Sequence, residues 1–151
     1  MRVLSLIMCL IPVLSVAGNI DTVREQFHGL RDAESLDRFL SMVKDVDDER
    51  VVPYREAANM KRARFTANPL RKMKYFNDGK EKLDRYISEH PKNIEGYYVR
   101  FLVQCEVPAF LGYNNHKASD RAFVESQLDA SLLPDDYKVK IRQNIRELSQ
   151  K

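Results

Sequence analysis

The run Lys80–Tyr113, KEKLDRYISEHPKNIEGYYVRFLVQCEVPAFLGY, constrains this chain more than any other stretch. Its halves carry helical spacing on either side of Pro91. In the second half, Tyr97, Tyr98, Phe101, Leu102 and Cys105 cover one wide arc, and Val99 and Val103 extend it toward the far side. A helix with so little polar surface belongs inside a protein, with other helices wrapped around it. Arg100 and Gln104 lie on one edge of that helix with Tyr97 and are expected to be at least partly buried. A buried guanidinium persists only when it is paired and hydrogen-bonded. Asp120 is the first choice of partner, because the loop through Gly112 can return the chain against this helix; Glu56 and Asp84 are the alternatives.

The flanking sequence supplies the wrapping helices. Ile20, Val23, Phe27 and Leu30 form one apolar stripe, and Leu36, Phe39, Leu40 and Val43 form a second after Asp32. The acidic link Asp47–Asp48–Glu49 favours the positive end of the next helix. That helix starts around Pro53, and its stripe is Tyr54, Ala57, Ala58, Lys61 and Phe65. The paired alanines predict close approach by a neighbour. Asn68 before Pro69 predicts a turn, and further helices are expected over 70–76 and 76–90. A helix N-capped by Ser119 runs to Asp129, burying Phe123, Val124 and Leu128, and a last one starts at Pro134 with Tyr137, Ile141, Ile145 and Leu148 inward. No alternating strand pattern appears. The reading is all-α: an irregular helical-hairpin bundle of five to seven helices forming a single domain over 18–151.

FNDGKEKLDRYISEHPKN resembles the second helix of a tetratricopeptide unit and its exit, with Gly79, Leu83 and Tyr86 at the small and bulky packing positions and Pro91 as the closing proline. PKNIEGYYVRFLVQCEVPAFLGY resembles exported bacterial proteins of unknown function. The likeness implies a tetratricopeptide-like helical fold and brings no activity with it. There is no 34-residue period, so a regular repeat array is not expected.

Residues 1–17, MRVLSLIMCLIPVLSVA, have a cation at Arg2, an apolar run too short to span a bilayer, and small residues at cleavage spacing, which marks a signal peptide. The chain therefore reads as exported, periplasmic or secreted, without a transmembrane anchor. Loss of Arg2 lowers the formal net charge from +3 to +2, which gives no general pull toward nucleic acid. Cys9 leaves with the leader, so Cys105 has no intramolecular partner and is expected to be a buried, inert thiol.

Chemistry is sparse in the sequence. The five glycines are scattered, so no phosphate loop or nucleophile elbow is present. The three histidines do not cluster, so no metal site or cofactor is expected. His90, before Pro91, suits a helix-capping role. His116, Asp120 and Glu95 give the only acid–base combination worth naming, for a small hydrolase or lyase, and a pocket enclosing all three would favour it. Lys61, Arg62, Arg64, Arg71, Lys72 and Lys74 form a basic stretch with no acidic residue between Glu56 and Asp78, suited to an acidic protein, an anionic glycan or a lipid surface. Phe110, Leu111 and Tyr113 form an apolar loop in which two side chains are expected to pack and one to sit at a groove. Taken together, these features favour a non-enzymatic helical interaction module, whose mark would be a shallow apolar groove beside that loop.

Overall fold

Several helix starts in this protein are fixed by short polar side chains at the caps. Asn19 begins α1 (Ile20–His28), and Asp32 begins α2 (Ala33–Val43) through a reciprocal pair of hydrogen bonds with Ser35. Asp48 caps the 3-10 turn Glu49–Val51, which leads into α3 (Val52–Lys61) with Pro53 in its first turn. Asn68 starts α4 (Pro69–Glu89), and Asn93 starts α5 (Ile94–Glu106) by accepting from the Gly96 N–H. A 3-10 turn, Ala109–Leu111, ends at Gly112, whose φ of 63° is left-handed and costs glycine nothing. Two more helices follow, α6 (Lys117–Gln127) and α7 (Asp135–Ser149). The computed structural model describes residues 19–150, and these form seven α-helices with no strand among them. The leader read at 1–17 lies outside the described residues.

Ten of the thirteen residues of α5 are buried, as its nearly all-round apolar surface requires. Tyr98 and Val99 are fully inaccessible and Phe101 nearly so. The helix turns back on α4 around Pro91 and receives α6 on another side. Phe27 of α1, Tyr54 of α3, Leu83 of α4, Val124 of α6 and Ile141 of α7 belong to the same continuous core. α3 and α4 form the tightest hairpin: a Cβ on Gly79 would lie 2.6 Å from Met60 Cγ and 2.7 Å from the Glu56 carbonyl oxygen. That contact explains a glycine in the middle of a 21-residue helix, and it is the neighbour that Ala57 and Ala58 imply.

Several boundaries differ from the sequence reading, each for a local reason. The two stretches placed over 70–76 and 76–90 are one continuous helix, because Gly79 serves packing and does not break the turn. α6 begins at Lys117, ahead of Ser119, and the Ser119 hydroxyl donates to the His116 carbonyl, so serine acts inside the first turn and not as the cap. Phe65 does not continue the α3 stripe. The helix tightens to a 3-10 turn over Arg62–Phe65, which rotates Phe65 outward to 47 % exposure.

The Gly79 contact sets two effects against each other. Gly79→Ala gains up to about 1 kcal/mol of helix propensity. It also drives a methyl into a backbone carbonyl, an overpacking cost of about 1 to 3 kcal/mol. We expect a net loss in urea denaturation; a variant more stable than the parent would show that α3 and α4 can separate freely.

Candidate functional site

Because α5 is enclosed, each polar side chain on it must find a partner from another helix. Arg100 does so twice over. Its Nε and Nη2 donate to the two carboxylate oxygens of Asp120, both at 2.8 Å, and its Nη1 donates to Asp84 at 3.1 Å. Gln104 completes the unit: its Nε2 donates to Asp120 Oδ2 at 2.8 Å, and its Oε1 accepts from the His116 backbone N–H at 2.9 Å. The Tyr113 hydroxyl donates to Asp84 at 2.9 Å, and burial followed by the Asp84 charge pushes that phenol far above its usual value. Four segments, α4, α5, the loop and α6, are thus tied at one point. The first-choice partner Asp120 and the alternative Asp84 are both engaged. Glu56, the other alternative, instead accepts from Arg55 and Asn59.

A second buried network was not anticipated. Arg24 of α1 donates from Nε and Nη2 to the two oxygens of Glu95 at 2.8 and 2.9 Å, and from Nη1 to Asp21 at 2.6 Å. The Tyr54 hydroxyl lies 2.5 Å from Glu95 Oε1 and 2.7 Å from the Tyr137 hydroxyl, and His28 Nε2 lies 3.3 Å from the latter. A carboxylate only accepts, so Tyr54 donates to Glu95, Tyr137 donates to Tyr54, and His28 carries its proton on Nε2. Burial, the neighbouring Tyr137 and Glu95 raise the Tyr54 phenol well above its ordinary range. His28 moves the other way: burial, then the charges of Lys140, Lys61 and Arg31, push it down to about 4. Every buried side-chain nitrogen and oxygen among the described residues has a partner, so neither network leaves an unpaired buried group.

The acid–base trio named from sequence is divided between these networks. Asp120 is 1 % exposed and held by Arg100 and Gln104, while Glu95 is held by Arg24 and Tyr54. His116 is an exposed residue at the start of α6. A cavity of about 510 Å³ is bordered by Glu95, Arg24, Arg50 and Lys92, and neither His116 nor Asp120 lines it. His90 does act at a helix end, as expected: its Nδ1 donates to the Tyr86 carbonyl and its Nε2 meets Glu49 at 3.1 Å. Cys105 is only partly covered, with its thiol pushed up by burial. Among the described residues no group of three or more histidines, cysteines and carboxylates is placed to hold a metal, and no helix is long and apolar enough to cross a membrane.

The loop and the basic stretch, separate in sequence, converge on one concavity. A groove of about 390 Å³ lies between the end of α3, the start of α4 and the end of α5. Its floor contains the buried side chains Ala57, Met60, Phe76 and Val103. Leu111 and Phe110 border it on the loop side, with Met73 opposite. Tyr113 is buried at 4 % and packs edge-on against Phe76 at 5.7 Å, beneath the groove and outside its lining. Phe110 is 85 % exposed, so it is a rim residue whose loss costs little stability, in contrast to a buried phenylalanine.

Three of the six cations, Lys61, Arg64 and Lys72, also line this groove. The rest are placed differently from the uncompensated stripe read in the sequence. Arg62 lies 4.4 Å over the Tyr75 ring, Lys74 pairs with Asp78 at 2.6 Å, and Arg71 is exposed beyond the lining. Lys61 itself reaches Glu106 at 2.5 Å, the one carboxylate on the groove. Apolar spacing alone could point to the floor, but only the hairpin brings the start of α4 beside the end of α5. No family model, curated protein or solved structure matches this chain, so the chemistry of these residues alone carries the functional reading.

Two outcomes follow from the networks. Arg100→Met strands Asp120 in a buried site, with an expected loss of about 3 to 5 kcal/mol, and Arg100→Met combined with Asp120→Leu recovers much of it. Additive losses in urea denaturation would show the pair is not coupled. For His28, the native state holds the neutral ring and the unfolded state binds a proton near the ordinary value of 6.5. Its contribution is therefore complete above pH 6.5 and is lost as pH falls toward 4. By linkage, His28→Gln should remove at most about 2 kcal/mol of the stability difference between pH 7 and pH 5; identical pH profiles would place the ring in water.

Proposed function

We propose that the chain is an exported, non-enzymatic helical binding module, tetratricopeptide-like in its packed hairpins, whose site is the groove under the loop 109–113. The observation that carries this reading is the convergence of apolar floor, exposed rim and cations at a single concavity. Binding sites are characteristically apolar clefts with a few polar groups at the edge, and a volume of about 390 Å³ falls in their usual range. Two large hydrophobic side chains that stand exposed, Met73 at 48 % and Phe110 at 85 %, both line this groove. Clustered exposed apolar surface of that kind marks an interaction site, whereas single residues scattered over a surface need no explanation. The buried ion networks support the same reading from the other side. Glu95, Asp120 and Arg100 are engaged in holding α5, and the trio His116, Asp120 and Glu95 is not brought together at one pocket, as acid–base work between them would require. Export is supported by the leader-like segment at 1–17.

A photo-crosslinking phenylalanine analogue at position 110 in intact cells tests the proposal. We expect one discrete adduct, identified by mass spectrometry. The same probe at Val139, 59 % exposed on α7, should give none. Equal labelling from both positions, or from neither, would remove the groove as the site.

A further inference from the structure

We infer that the occupant of the groove is an amphipathic helix of a partner protein that carries carboxylates along the edges of its apolar face. This rests on the reading of the chain as a binding module and specifies what it binds. The charge balance at the groove is the first ground. Lys61, Arg64 and Lys72 stand on its lining against Glu106 alone, and Glu106 is already held by Lys61. Arg64 and Lys72 make no ion pair among the described residues and are exposed, so an acidic partner gains two cations without breaking an existing bridge. Charge arranged in this way selects among partners and aligns them.

Shape decides what kind of acidic partner fits. A small amphiphile seated on the floor would leave the rim residues Phe110, 85 % exposed, and Met73, 48 % exposed, largely in water. A bilayer surface would cover those two, but it is broad and flat, and the floor residues Ala57 and Phe76 lie recessed between two helices and the loop. A helix reaches both levels: side chains at successive turns enter the groove, and its flanks cover the rim. Met60 in the floor and Met73 on the wall suit this role, because unbranched thioether chains repack around different apolar shapes.

The test uses two fluorescein-labelled designed peptides of about five helical turns. Both carry the same leucine stripe, flanked in one by glutamate and in the other by lysine. Fluorescence anisotropy with the full chain should show the lysine-flanked peptide binding at least about tenfold more weakly. The double variant Arg64→Glu, Lys72→Glu, both at exposed positions, should reverse that order. Equal affinities, or an order unchanged by the double variant, would overturn the inference. So would binding of phosphatidylglycerol vesicles, or of sodium decanoate, by a protein that binds neither peptide. If the peptides fail while the adduct at position 110 persists, the helical occupant is wrong and the binding module stands.

Discussion

The fold depends on enclosing a helix that is not wholly apolar. Burying α5 gains the hydrophobic stabilisation of Tyr98, Val99, Phe101, Leu102 and Val103. It also takes Glu95, Arg100 and Gln104 out of water, and each would be strongly destabilising if left alone. The molecule resolves this by recruiting one charged partner from α1 and two from α4 and α6. Such pairs add little net stability compared with apolar residues of the same shape, but they make wrong packings costly. A rotated α5 would orphan a guanidinium or a carboxylate. The polar residues thus set the register of a helix whose apolar surface alone is too uniform to do so.

Much of this could be read from the sequence, and the parts that could not share a cause. Helical stripes and caps are local, so the existence of the helices and the break at Pro91 follow from spacing and from a few polar side chains. Arg100 with Asp120 is legible because the apolar arc around Arg100 forces the question of its partner, and a short loop limits the answers. Arg24 with Glu95 is not. The two lie 71 positions apart, Arg24 sits in an ordinary amphipathic helix, and nothing in its surroundings signals burial. His28 and Tyr137, 109 positions apart, are hidden for the same reason. Phe65 is the opposite case: it reads as part of the α3 stripe and is turned outward by 3-10 geometry that has no clear signature in side-chain periodicity, while the loop reading left open which of Phe110, Leu111 and Tyr113 would face the groove.

The groove is a product of that same geometry. α3 and α4 are held in contact by Gly79, and the groove opens beside the end of α3, where it tightens into a 3-10 turn, and the first turns of α4 after Pro69. The end of α5 and the loop after Pro108 close the third side without filling the gap. Core and site are therefore adjacent parts of one packing arrangement: Phe76 belongs to the core cluster and to the groove floor at once.

The Tyr54–Tyr137 contact joins residues 83 positions apart and carries a consequence for folding. Tyr137 lies on α7, and without that helix the Tyr54 hydroxyl loses the hydrogen bond it accepts from Tyr137. Contacts of such long sequence separation form late and slow the acquisition of native structure. The same closure makes the folded state cooperative, because removing α7 opens a network that reaches from Tyr137 through Tyr54 and Glu95 to Arg24 on α1.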